Sequence, residues 1–149
     1  MTHVTSSATQ SGRIAALLGL KNAAKMDDVA LADKIAEGLE AQAAIAMEAA
    51  LGPTINVVGH IIPEATFKRA YKARKPLSRE MSDRLYEVGR VWDLVCRSYD
   101  GDENAAAAFL SRSHPFLGGR APLELACRSS AGADAVVNLM HRAEAGFSV

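Results

Sequence analysis

From Leu85 to Tyr99, apolar side chains recur at steps of three and four residues: Leu85, Val88, Val91, Trp92, Val95, Cys96 and Tyr99. Only a helix brings that set onto one face, because a strand would send alternate residues to opposite sides. The spacing predicts a helix from Arg79 to about Ser98, the longest of the chain and a spine for the fold. Composition agrees, since alanine fills 28 positions and aromatics only 5%. Alanine loses no side-chain entropy in a helix, whereas strands favour β-branched and aromatic residues. The expected class is all-α.

Caps and breakers divide the rest. Asp27 and Asp28 precede Val29, Leu31, Ala32, Ile35 and Leu39, placing carboxylates at the positive end of an apolar helical stripe that Gly38 bends or ends. The alanine-rich stretch from Leu39 to Leu51 has high helix propensity and stops at Gly52-Pro53. Val57, Val58, Ile61 and Ile62 read as a short helix interrupted at Gly59, and Pro63 opens a basic helix with Phe67, Ala70 and Tyr71 on one face. Pro76 breaks that helix, and Ser78 and Glu80 open the long one. Asp102 caps a further helix in which Ala106, Phe109 and Leu110 face inward, before a break at His114-Pro115. Leu123 to Cys127 reads as a short helical piece, and Gly132 to Glu144 as the last helix, with Val136, Val137, Met140 and Ala143 on one stripe. Thr2 to Ser11 has no apolar period and reads as a loose arm, Ile14 to Leu20 as a short turn, and Gly146 to Val149 as a free tail. The expected units are therefore a flexible arm with room for a short helix over 1–26, a helix-turn-helix-like module over 27–77 and a C-terminal helical domain with its tail over 78–149.

Several function classes lack support. No apolar run approaches the roughly twenty residues that cross a bilayer, and the start lacks a secretory pattern, so a cytoplasmic protein is expected. Cys96 and Cys127 suit a reducing compartment and read as small core hydrophobes. The histidines His3, His60, His114 and His141 have no ligand partners at metal-binding spacing. Gly118-Gly119 lacks the lysine and hydroxyl of a phosphate loop, and no nucleophile elbow or acid/base arrangement is present. The reading is a non-enzymatic protein with no cofactor and no metal.

Charge is more informative along the chain than in total. The 17 basic and 17 acidic residues cancel. Yet Lys68, Arg69, Lys72, Arg74, Lys75 and Arg79 fall together without an acid, while Asp27 to Glu48 carries six acids and one lysine. A basic helix after a short helix and tight turn suits the major groove, with Thr66, Lys68, Arg69 and Lys72 as DNA-contacting residues. Two bland alternatives stay open: a solvated face, or pairing of the acidic and basic helices within the fold or across a dimer.

Ser82-Asp83-Arg84-Leu85, Phe109-Leu110, Pro115, Leu117-Gly118-Gly119, Arg120-Ala121-Pro122-Leu123-Glu124-Leu125, Gly132 and Glu144-Ala145-Gly146-Phe147 occur in an order that resembles the Xre/MbcA/ParS-like antitoxins. In that family a toxin-binding domain partners RES-domain toxins. The resemblance runs from roughly Ile55 to the end, and Thr66-Phe67-Lys68-Arg69 with Leu77-Ser78 is similar to the family's recognition-helix region. Two departures stand out: Phe109-Leu110 replaces the usual Trp-Leu, and Ala70 sits where a second arginine is frequent.

The resemblance implies a type II antitoxin that blocks the NAD cleft of a RES-domain toxin with its C-terminal segment, the toxin degrading NAD or transferring ADP-ribose. Gly146, Phe147, Ser148 and Val149 are then the inhibitory element, with Phe147 as an apolar anchor and the terminal carboxylate meeting cations. Arg120, if exposed, is a further toxin contact. Pro115, Gly118, Gly119, Pro122 and Leu123 read as a structural corner, glycine permitting angles closed to other residues and proline restarting a helix. Operator DNA and a second copy of the chain are the other expected partners, since paired helix-turn-helix modules read palindromic sites. The competing reading is a helix-turn-helix transcriptional regulator with no toxin partner.

Overall fold

The structure, a computed structural model, describes residues 8–146. Among the described residues eight α-helices follow one another: α1 Gln10–Leu17, α2 Asp28–Glu37, α3 Ala41–Leu51, α4 Glu64–Ala73, α5 Arg79–Ser98, α6 Glu103–Ser111, α7 Pro122–Arg128 and α8 Ser130–Glu144. Single 3-10 turns lie at Ala23–Lys25 and Pro115–Leu117. Among the described residues there is no strand, only isolated bridges at Val58–Ile62 and His114–Arg120. The chain is all-α, with the helix-turn-helix portion in its N-terminal half and a helical domain at its C-terminal end.

The spine spans Arg79–Ser98 as its spacing requires, opened by the Ser78 hydroxyl, which accepts from the Met81 N–H at 3.1 Å. Its buried residues are not confined to one stripe: Met81, Ser82, Leu85, Val88, Gly89, Val91, Trp92, Asp93, Leu94 and Val95 take in most of its circumference. A helix covered that widely needs partners on several sides. The spine packs against α1, α2 and α3 on the N-terminal side and against α6, α7 and α8 on the other. Asp27 and Asp102 cap α2 and α6 as their sequence contexts predict, accepting from Ala30 and Ala105 at 2.8 and 3.1 Å.

Three local expectations need correction. The loose arm ends earlier than expected: Thr9 caps α1 by accepting from the Gly12 N–H at 3.0 Å, and Ile14, Ala15 and Leu18 are buried against the core. The remainder of the expected arm, residues 1–7, lies outside the described residues. The alanine-rich stretch is helical only from Ala41, because Gly38 ends α2 and buried Leu39 donates its N–H to the Ser82 hydroxyl at 2.8 Å. On α4, Phe67 and Tyr71 share a face as expected, their rings stacked, with Phe67 and Ala70 half-buried and Tyr71 50% exposed. On α8 the buried set is Ala133, Val136, Leu139 and Met140, with Val137 and Ala143 only half-buried, so the stripe is rotated from the one expected.

One buried carboxylate fastens α1 to the spine. Asp93 accepts a forked contact from Arg13, Nε to Oδ1 at 2.8 Å and Nη2 to Oδ2 at 3.2 Å, and a third hydrogen bond from Arg97 Nε at 3.2 Å. Arg13 also donates to the Ala8 carbonyl. The Asp93 side chain is 7% exposed and that of Arg97 49%, so most of the coupling runs through Arg13. Truncating the buried member strands a cation and an empty space. Asp93→Ala should lower unfolding free energy by about 3 kcal/mol in urea titrations, and Arg97→Ala by about 1 kcal/mol or less.

Candidate functional site

Two surfaces carry the residues singled out by the sequence. The first is α4 and the turn before it. The expected short helix over Val57, Val58, Ile61 and Ile62 is not regular: Val58 has extended angles and Gly59 a φ of 110°. Crowded β-branched neighbours disfavour helix here, and Gly59 opens the backbone. The turn closes through Ile62 N–H to Val57 carbonyl at 2.9 Å and Gly59 N–H to Ile62 carbonyl at 2.7 Å, with Val57, Ile61 and Ile62 buried. Glu48 on α3 accepts the Val58 N–H at 2.8 Å, and Arg84 on the spine donates to the Ile61 carbonyl at 3.0 Å. The basic helix is therefore aimed by a pinned turn in place of a packed helix.

On α4, Lys68, Arg69 and Lys72 are exposed and Thr66 is half-buried. Phe67 and Tyr71 stack with ring centroids 5.6 Å apart. Glu64 draws Lys68 into an exposed i,i+4 pair at 3.6 Å, a contact of small energy. Among the described residues no ion pair forms to Arg69, Lys72, Arg74 or Lys75. The acidic segment from Asp27 to Glu48 thus leaves most of the basic cluster unneutralised at short range.

The second surface lies at the C-terminal end. Residues 114–120 form a closed turn: the His114 N–H donates to the Arg120 carbonyl at 3.0 Å, and the His114 carbonyl accepts from Leu117 and Gly119 at 3.0 and 3.1 Å. His114 Nδ1 accepts the Phe116 N–H at 3.1 Å. Gly118 and Gly119 have φ of 66° and 76°, where a side chain would strain the backbone, and Pro115 is exposed beside them. Pro122 and Leu123 are buried where α7 starts, and Arg120 is exposed just ahead of them. Gly132 permits α8 to abut α7, since a Cβ there would stand 2.0 Å from the Leu125 carbonyl oxygen.

Sequence spacing did not foretell the aromatic gathering on this surface. Tyr99, Phe109, His114 and Phe116 follow one another with ring centroids 5.5 to 6.2 Å apart, and Arg142 stands 6.0 Å over Phe116. A groove of about 710 Å³ runs along Tyr99, Phe109, Arg112, His114, Met140 and Glu144. Its components are scattered from the spine to α8, so no short motif contains them. Gly146 is exposed two residues beyond the groove, while Phe147, Ser148 and Val149 lie outside the described residues.

Among the described residues, no group of three or more histidine, cysteine, aspartate or glutamate side chains could hold a metal ion, and no helix is long and apolar enough to cross a membrane. The architecture is a helix-turn-helix portion and a helical C-terminal domain built on one spine. Residues 30–90 match the antitoxin Xre-like helix-turn-helix domain, and residues 95–146 match the antitoxin Xre/MbcA/ParS C-terminal toxin-binding domain. The chain belongs to the Xre/MbcA/ParS-like antitoxins. No curated protein matches it.

The two cysteines are free and half-buried. Burial pushes the Cys96 thiol up to about 12, helped by Glu103 and Asp93, and the Cys127 thiol up to about 11 against the pull of Arg84. Both remain protonated at neutral pH, with roughly one part in a thousand of Cys127 as thiolate at pH 8. Iodoacetamide at pH 8 should modify the folded protein far more slowly than the urea-unfolded chain, as read by mass spectrometry.

Proposed function

We propose that this antitoxin neutralises a RES-domain toxin that consumes NAD, either degrading it or transferring its ADP-ribose, by covering the toxin's NAD cleft. The match of residues 95–146 to a toxin-binding domain carries the reading. Its support on the surface is an exposed Arg120 free of ion pairs among the described residues, an aromatic groove, and a chain that leaves α8 at exposed Gly146. Inhibition is steric and needs neither cofactor nor metal. The last residues, Gly146, Phe147, Ser148 and Val149, enter the cleft, with Phe147 filling apolar space and the terminal carboxylate meeting phosphate-binding cations. The turn built on Pro115, Gly118, Gly119, Pro122 and Leu123 holds Arg120 in place.

Deleting Gly146 to Val149 should leave the helical content unchanged and weaken inhibition of NAD consumption roughly tenfold or more in a reconstituted assay with a purified RES-domain toxin. Undiminished inhibition by the truncated chain excludes the tail, and failure of the two full-length proteins to associate excludes the RES partner.

The exposed basic helix favours a second role, repression of its own operon by a cytoplasmic homodimer. Thr66, Lys68, Arg69 and Lys72 are the contacts of α4 with DNA. Replacing Lys68, Arg69 and Lys72 with alanine should lower operator affinity and flatten its salt dependence by up to about 0.9 per charge removed, with toxin inhibition intact. A chain that binds its operator but captures no toxin would instead be a transcriptional regulator without a toxin partner.

A further inference from the structure

The geometry points to a backbone-phosphate seat formed by Tyr71, Lys72, Arg74 and Lys75 where the end of α4 meets the start of α3. This assignment rests on the reading of the chain as DNA-binding and gives the residues that hold the duplex while the rest of α4 faces the bases.

Arg74 is the first observation. It ends α4 in the left-handed conformation, φ 55° and ψ 39°, where glycine is the usual occupant. Among the described residues three non-glycine positions have positive φ, and the other two are Asn22 and Asp100, types that tolerate it best. An arginine at this place strains the backbone, and the cap hydrogen bonds, Arg74 N–H to Tyr71 carbonyl at 3.4 Å and Lys75 N–H to Ala70 carbonyl at 3.1 Å, would form as well with glycine. The cap therefore does not explain the side chain.

The left-handed turn also sets where the following charges go. It folds the chain back so that Arg74 and Lys75 join Lys72 and Tyr71 on one wall of a groove of about 500 Å³, opposite Glu40, Ala41 and Gln42. Lys72, Arg74 and Lys75 form no ion pair among the described residues, and Glu40 is the single carboxylate on the lining. Three cations and a half-exposed phenol in one concavity suit an anion with several acceptor oxygens, and a duplex presents a row of them. Arg69, one face away on α4, does not line this groove. The duplex backbone lies along Lys72, Arg74 and Lys75, and Thr66 and Arg69 are left for the groove floor.

The test uses the full-length protein and labelled duplexes of about 30 base pairs, one from upstream of its own gene and one scrambled, read by fluorescence anisotropy between roughly 50 and 200 mM NaCl. R74Q and K75Q should each reduce the slope of log affinity against log salt by about one on both duplexes, leaving the preference between them unchanged. R69Q should reduce that preference. R74G separates charge from backbone: relief of the left-handed arginine raises the melting temperature, while the slope still falls by about one. A wild-type slope in R74Q, K75Q and R74G overturns the phosphate seat and leaves the DNA-binding reading standing. Absence of any salt-dependent binding by the wild-type protein overturns both.

Discussion

Burial of the spine from several directions is the constraint on which everything else hangs. Each fully buried leucine or valine stabilises the fold by about 1.5 to 3 kcal/mol, whereas an exposed ion pair adds about 1 kcal/mol or less. Apolar packing around Leu85, Val88, Val91, Trp92 and Val95 therefore outweighs the seven ion pairs of the described residues in total, and those pairs act mainly to fix direction. Ser82 fixes the turn between α2 and α3, Arg84 the turn ahead of α4, and Arg90 reaches Asp134 on α8 at 2.7 Å. One rigid rod thus orients both the basic helix and the C-terminal surface.

The two surfaces share this rod, and the segment ahead of α4 also borders α6 and α7, with Ile55 and His60 lining one pocket with Leu110 and Leu123. The basic helix rests on α3 and the pinned turn, while α8 rests on the spine, α7 and the Pro115–Leu117 turn. The helix-turn-helix match ends at residue 90 and the toxin-binding match begins at residue 95, both inside α5. The spine that joins them is close-packed, and a close-packed interior transmits strain from one side to the other.

Elements with a strong period and a good cap were legible from the residues: Ser78 and the three- and four-step stripe gave the spine, and Asp27 and Asp102 gave the starts of α2 and α6. What escaped depended on contacts between distant segments. Helix α1 is short and contains Gly12, and its stability comes from Ile14 and Leu18 against the core and from Arg13 reaching a residue far along the chain. Segment 57–61 has helical spacing, but its β-branched residues and Gly59 settle into a turn held by Glu48 and Arg84, neither of them local. At the candidate sites, exposed Arg120 and the glycine turn could be named from their neighbours in sequence. The aromatic groove could not, because Tyr99 at the end of the spine, Phe109 on α6 and His114 in the following turn meet only in the fold, and neither could the conformation of Arg74.

The clamp between Arg13 and Asp93 changes what counts as the unit of folding. Both matched segments begin after residue 29, yet the arginine that satisfies the most buried carboxylate of the spine comes from α1, ahead of them. A fragment trimmed to the regions of family likeness would expose the apolar wall that α1 covers and leave Asp93 to the half-exposed Arg97 alone. The boundary drawn by ancestry and the boundary drawn by cooperativity differ here by one short helix.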